Sequence, residues 1–447
     1  MSTAPEHFDV VVIGTGPGGR AVAPELAAAG RSVAVIEDEL VGGECPFWAC
    51  IPSKTLLRPS QLRTQAAHVA GVSVPELDWS AIRDYRDYMN SGLNDAGKAD
   101  WLGGVDGVTL IRGRASVPER GRVLVGDREL TCDDVIIASG THPAIPDLPG
   151  LDREQVWTNR EVTSLSEVPA SAVVIGGGPV GLEVAQYLAG FGCETTLLER
   201  SDRPLVREEP ELSAHVVRLL EEHGVRLMTG TSVAEVRHHD GGVEVTTEDG
   251  ERLDVERLIV AAGRSPRIDG LTPDGVTVEH GHIQVDGQCR AADGVWAVGD
   301  ITGIAPFTHV AGYQGRVVID TLLGRERTAT YDAVPRVVFT EPEVAAVGLT
   351  AAQARERGMD VATETLALSG TDRTETYGRG LQGGVGAVVD RSRGVVVGAW
   401  AVGPEAGEWI HTAALAIKAE IPLATLQDFV PQFPTFNELW GALWRSM

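Results

Sequence analysis

The sequence predicts an α/β protein containing two doubly wound nucleotide-binding units, and three observations carry that expectation. A glycine-rich loop, Gly14-Thr15-Gly16-Pro17-Gly18-Gly19, follows an apolar run near the N-terminus. A second loop, Gly176-Gly177-Gly178-Pro179-Val180-Gly181, follows another apolar run in mid-chain. An acidic residue stands 23 positions after the first glycine of each loop, Glu37 in one case and Glu199 in the other. The chain has 447 residues, too many for one ordinary core, so two or three domains are expected.

In chain order, residues 8–13 read as a buried strand and residues 20–29 as a small-residue helix closed by Gly30. Residues 32–36 read as the next strand, ending at Glu37. This is G-x-G-x-x-G between strand and helix, the arrangement that binds a dinucleotide. Gly14 allows the tight turn, Gly16 admits a pyrophosphate close to the backbone, and Gly19 lets helix and strand pack closely. The helix start, at Pro17 and Gly18, offers unpaired N–H groups to phosphate. The second copy runs through a strand at 172–175, the loop Gly176, Gly178, Pro179, Val180 and Gly181, a helix at 182–189 and a strand at 195–198. Two copies in one register imply two bound dinucleotides. Glu199 suits the 2′-hydroxyl of an adenosine ribose and repels a 2′-phosphate, which favours NADH over NADPH. Arg200 and Arg203 lie close behind and soften that preference.

Between the loops lies Gly42-Gly43-Glu44-Cys45-Pro46-Phe47-Trp48-Ala49-Cys50-Ile51-Pro52-Ser53-Lys54. A regular helix would hold Cα atoms five residues apart at roughly 8.6 Å. A disulfide wants about 4.4–6.8 Å, so a bridge here needs an irregular helical turn. Pro46 is placed to supply the irregularity. A strained bridge is easily reduced, which suits a redox pair better than a staple; two free cysteines packed as small apolar groups is the other reading.

Composition sets the outer limits. Five cysteines (Cys45, Cys50, Cys132, Cys193 and Cys289) are too few for a disulfide scaffold, and a reducing cytoplasm is the expected setting. The net charge of −25 argues against nucleic acid and anionic membranes as partners. No basic-then-apolar leader stands at residues 1–9, and no apolar run is long enough to span a bilayer.

With these motifs in this order, the chain resembles the pyridine nucleotide-disulfide oxidoreductase family, which includes dihydrolipoamide dehydrogenase, glutathione reductase and mercuric reductase. The resemblance rests on both glycine loops, the C-x4-C-I-P-S-K segment, Ala138-Ser139-Gly140, Gly263-Arg264, Gly299-Asp300 and Thr340-Glu341-Pro342-Glu343. It implies an FAD domain from residues 1–150 and 265–325, an NAD(P) domain at 151–264, and a C-terminal α+β interface domain at 330–447 that makes a homodimer. FAD is expected at the first loop with Glu37, Gly43, Ser139, Gly140 and Lys54. Asp300 is expected on the ribityl chain, delivered by the apolar strand 295–298 and Gly299, where ligands collect in open α/β sheets. The nicotinamide nucleotide is expected at the second loop with Glu199, Gly263 and Arg264. The resemblance makes Cys50 the flavin-side sulfur and Cys45 the sulfur that exchanges with a small-molecule disulfide or dithiol. It pairs Lys54 with Glu183 beside the flavin, where a fixed cation also lowers thiolate pKa.

One departure bears on substrate. The family's C-terminal motif is His-Pro-Thr-x-x-Glu; here it reads Phe433-Pro434-Thr435-Phe436-Asn437-Glu438. Glu438 remains, but phenylalanine cannot transfer a proton, a contribution typically worth about 10²–10⁴-fold. His309 and His411 are the replacement candidates, each also readable as a structural histidine. Phe47, Trp48, Phe433 and Phe436 read either as an aromatic pocket beside the cysteines or as core. The mercuric reductase pattern needs a C-terminal cysteine pair, whereas the last cysteine is Cys289. An NADH:quinone or diaphorase-type reductase, passing electrons from flavin straight to a flat acceptor, needs no thiol base and is the competing reading.

Overall fold

The computed structural model describes residues 5–369, 371–378 and 380–447. These form two compact units, one from residues 5–52, 86–143 and 264–330, the other from residues 53–85, 144–263 and 331–447.

The first unit is built on a mixed sheet whose central strand is Glu6–Ile13. Val33–Glu37 lies parallel on one side of it and Arg128–Ile137 parallel on the other. Val108–Arg112 and Val295–Ala297 extend the sheet outward, also in parallel. Alternation along the central strand sends Val10 and Val12 to one face, packed with Val22, Leu26, Val317 and Val318. Val11 and Ile13 go to the other face, with Val117, Val123 and Leu271. Burial on both faces explains why these strands read as continuous apolar runs. Helix Pro17–Ala28 leaves the central strand where neighbours fall on both sides, the position at which open α/β sheets bind ligands.

The second unit repeats this plan. Ser171–Ile175 lies between parallel strands Glu194–Glu199 and Arg257–Val260, with Arg226–Thr229 outside. Helix Pro179–Gly190 leaves the strand at the same point. Both helices begin three residues ahead of the sequence reading, because proline at the first helical position costs nothing: its missing N–H would be unpaired there anyway. The unit also holds a five-stranded antiparallel sheet, ordered Pro335–Val338, Glu343–Gly348, Val395–Gly403, Gly384–Asp390 and Val361–Ala367. One face of it packs on helix Glu438–Ser446 through Trp440, Leu443 and Trp444.

Candidate active site

The two loops show the same division of labour among their glycines. A Cβ at Gly14 would strike the Ala138 carbonyl, and one at Gly176 the Ala261 carbonyl; both residues have positive φ, +97° and +113°. A Cβ at Gly19 or Gly181 would strike the carbonyl of the first glycine of its own loop. The middle glycines behave differently. Gly16 (φ −58°) and Gly178 (φ −83°) have backbone angles open to any residue, and an added Cβ would meet nothing within 4 Å. Neither strain nor packing within the protein calls for glycine at these positions. Close approach of a pyrophosphate does. Each is also the helix N-cap and supplies no side-chain cap, leaving the first N–H groups for phosphate.

The acids are oriented by their own loops. Glu37, buried, accepts from the Thr15 N–H (2.9 Å), the Thr15 hydroxyl (2.5 Å) and the Glu39 N–H (2.9 Å). Glu199, partly buried, accepts from the Gly177 and Ser201 N–H groups, both at 2.7 Å. In each case acceptor capacity remains for a ribose, and more of it at Glu199.

Around the first loop the same unit gathers Gly43, Ser139, Gly140, Arg264, Gly299 and Asp300. Gly43 packs against the first loop so closely that a Cβ would lie 2.7 Å from the Gly16 Cα. The Ser139 hydroxyl donates to the Arg267 carbonyl (2.7 Å), and the Arg267 N–H to the Gly140 carbonyl (3.0 Å). Asp300 opens a short 3₁₀ turn after Gly299, and its carboxylate accepts from the Thr141 hydroxyl (3.0 Å). Arg264 donates to that hydroxyl (2.6 Å) and to the Thr141 carbonyl (2.9 Å), and pairs with Glu44 (3.5 Å). These residues fit FAD.

The cysteine pair belongs to the first unit too. Cys45 lies in helix Glu44–Trp48 and Cys50 opens helix Cys50–His68. The irregularity that the spacing demands falls at Ala49 (φ −131°, ψ −105°), not at Pro46. Pro46 sits in the first helical turn, where its missing N–H disturbs nothing. Both cysteines are thiols here. Hydrogen bonding to Cys50, then burial, pushes the Cys45 thiol well above the ordinary cysteine range, while the Thr308 hydroxyl pulls it down. The Thr308 Oγ1 also stands 3.5 Å from Cys50 Sγ. Sequence reasoning missed Thr308, although it adjoins His309. Burial raises the Cys132 thiol to about 12 and Cys193 to about 11, which suits structural cysteines.

In the second unit Lys54 Nζ pairs with both Glu183 oxygens, at 2.7 and 2.9 Å. The Phe339 N–H donates to Glu183 (3.0 Å), and the Lys54 ammonium lies 4.6 Å from the Phe339 ring centre. Lys54 follows Cys50 by four positions in one helix.

The aromatic residues divide. Phe47 is fully buried under Lys98, whose Nζ is 4.5 Å from its ring centre. Phe436 is core, packed on Tyr377 and Trp409. Phe433, by contrast, is 65% exposed. Glu438 accepts from the Thr435 N–H (3.0 Å) and so braces its own turn. His309 is exposed and stacked on Phe307, and His411 is exposed at the start of helix His411–Lys418. Val180 is exposed in the first turn of its helix. Gly263 precedes Arg264 with φ +130° and open space beside it.

Two nucleotide loops, and a cysteine pair in the unit that holds the first of them, define a flavin-dependent disulfide oxidoreductase, and comparison with known proteins agrees. Residues 8–315 match the pyridine nucleotide-disulphide oxidoreductase family, and residues 334–443 match its dimerisation domain. The chain belongs to that family. It is 32% identical to dihydrolipoyl dehydrogenase of Chlorobaculum tepidum, over 98% of this chain and 96% of that protein. It is 33% identical to mercuric reductase of Streptomyces lividans, over 95% and 93%. Among solved structures, it is similar to the HOCl-induced flavoprotein disulfide reductase RclA from Escherichia coli (TM-score 0.86, 29% identity, 98% and 99% covered). It is also similar to LpdA from Mycobacterium tuberculosis (TM-score 0.86, 26% identity, 99% of each covered). The protein is an FAD-dependent pyridine nucleotide-disulfide oxidoreductase and a homodimer.

Proposed function

We propose that the enzyme carries electrons from NADH through Cys45 and Cys50 to a small-molecule disulfide, or in reverse oxidises a small dithiol. The observation that carries this reading is the pair itself: two thiols close enough to perturb one another across a helix break, with the Thr308 hydroxyl on Cys50. When bound, FAD supplies the ring that takes hydride from the nicotinamide nucleotide and exchanges electrons with the cysteines. The chain's residues do the rest. Cys45 gives up its proton as it attacks the substrate disulfide: a Cys45–substrate bond forms, the substrate S–S bond breaks, and the departing thiolate takes up a proton. Cys50 then attacks Cys45, releasing the second thiol and closing the Cys45–Cys50 bridge. Lys54, fixed by Glu183, supplies positive charge four positions beyond Cys50. Glu438 acts in the C-terminal segment by holding its turn. The enzyme works in the cytoplasm, where thiols stay reduced; among the described residues no helix is long and apolar enough to cross a membrane.

The preference for NADH rests on Glu199 and is strengthened by Arg203. That guanidinium is committed to its own loop, donating to Ser213 Oγ and to the carbonyls of Leu205, Val206 and Glu208. Turning it to a 2′-phosphate would break all four of these hydrogen bonds.

Phe433 favours a second reading. A site whose expected proton carrier is an exposed phenylalanine suits acceptors that take electrons without a thiol leaving group, quinones among them. An anaerobic NADH titration of parent, Cys45→Ser and Cys50→Ser proteins separates the two. The first reading expects the parent to take up two electrons beyond those held by flavin and both variants to lose them. Identical two-electron titrations in all three would reject it. Quinones and Cu(II) belong in the acceptor panel beside disulfides, the latter because RclA has been solved as a Cu(II) complex.

A further inference from the structure

We propose that Thr308 is a catalytic residue of the cysteine pair, its hydroxyl donating to whichever of the two sulfurs carries the negative charge. This deepens the proposed cysteine relay and rests on it.

The argument starts from what exchange chemistry requires. Charge must reside on one sulfur of the dithiol at rest and appear on the other when that one attacks. A mobile acid–base group usually eases that change, and the sequence places phenylalanine where such a group is expected. The Thr308 hydroxyl lies 3.5 Å from Cys50 Sγ and also pulls the Cys45 thiol down. Toward a neutral thiol a hydroxyl either donates or accepts; toward a thiolate it can only donate. Rotation about one C–O bond therefore lets a single proton follow the charge from one sulfur to the other. No proton leaves the threonine, so its high intrinsic pKa is no obstacle.

The setting supports the same role. Thr308 is the first residue of helix Thr308–Leu322, and Phe307 at the N-cap supplies no side-chain cap. Thr308 therefore stands at the positive end of that helix, which favours negative charge nearby. The charged group beside Cys45, Glu44, is neutralised by Arg264 (3.5 Å) and Arg267 (3.8 Å). The neighbouring His309 is held flat against Phe307, with ring planes 6° from parallel. On this face of the first unit the threonine hydroxyl is thus placed to favour either thiolate.

The test is a thiol titration in the holoenzyme, followed by ultraviolet thiolate absorbance. Cys45→Ser isolates Cys50 and Cys50→Ser isolates Cys45; Thr308→Val, Thr308→Ala and Thr308→Ser are then placed in each background. Thr308→Val removes the hydroxyl at nearly constant shape. Loss of a hydrogen bond to a charged sulfur should raise the titration midpoint by about one pH unit in both backgrounds. Thr308→Ser should restore it, and Thr308→Ala guards against a packing effect of valine. Unchanged midpoints in Thr308→Val and Thr308→Ala would overturn the proposal. A shift in one background only would overturn the shared role. Because the readout needs no acceptor, an enzyme that proves to reduce quinones directly would overturn the disulfide reading while these midpoints still decide Thr308.

Discussion

The two nucleotide loops are built to one plan and differ in how firmly each holds its acid. In both, the first and last glycines are fixed by close backbone contact, and the middle one has open space beside it, room for a pyrophosphate. In the first loop the second residue is Thr15, whose hydroxyl donates to Glu37 and accepts from the Gly42 N–H (2.8 Å). In the second it is Gly177, which gives only its N–H to Glu199. Glu37 is therefore buried under three donors, whereas Glu199 is partly buried under two. A locked carboxylate suits a dinucleotide that stays bound, FAD. A more open one suits a nucleotide that must enter and leave in each turnover.

The largest effects should come from the last glycine of each loop. Gly19→Ala and Gly181→Ala both drive a methyl into a backbone carbonyl that cannot swing aside. Each should cost about 3 kcal/mol or more locally. Gly19→Ala is expected to abolish flavin content, measured as bound flavin per subunit. Gly181→Ala should keep its flavin and weaken NADH binding at least about tenfold, roughly 1.4 kcal/mol. Equal flavin loss in both variants would show that the loops are not independent and would break the comparison.

Next come the acids themselves. Glu37→Gln presents an amide N–H₂ to at least one of three donors in a buried site, and should cost about 2–3 kcal/mol in unfolding experiments. Glu199→Gln has two donors and partial solvent, so its stability cost should be nearer 1 kcal/mol. Its larger effect should be on selectivity, with NADPH gaining about tenfold on NADH in kcat/KM once the carboxylate no longer repels the 2′-phosphate. An unchanged ratio would mean that selectivity lies outside this loop.

What could be read in the sequence follows from these constraints. The loops were legible because their rules are local: a positive φ, a close carbonyl and an acid at fixed spacing all lie within one strand–loop–helix unit. The need for an irregular turn between Cys45 and Cys50 was legible from spacing, but its site was not. Nothing about Ala49 marks it in sequence, and the conspicuous Pro46 occupies a helix start, where proline is harmless. Thr308 was out of reach for another reason: it meets Cys50 across 258 positions, and only the folded sheet brings them together. Phe436 and Phe47 have the composition of a pocket but the burial of core, a choice that periodicity cannot make.

A third carboxylate, also buried, sharpens the comparison. Glu341 is as enclosed as Glu37, 6% against 7% exposed. Its carboxylate receives the Gln65 side-chain amide (2.9 Å), where Glu37 receives three donors. Burial dominates, helped by the Glu343 carboxylate and opposed by Gln65 and Arg58, and raises the Glu341 pKa from the ordinary 4.5 to about 7. A raised acid holds its proton in the folded chain where the unfolded chain has released it. The resulting stability is present in full below about pH 4.5 and is lost as pH rises through about 7. Glu341→Gln imitates the protonated form and keeps an oxygen for Gln65. It should match the parent near pH 4.5 and exceed it at about pH 8, by no more than about 3 kcal/mol. Glu37→Gln should instead destabilise at both pH values. Opposite responses of these two buried carboxylates to one substitution would establish that donor number, not burial, decides what the substitution does; a parallel response, measured by chemical unfolding at the two pH values, would refute it.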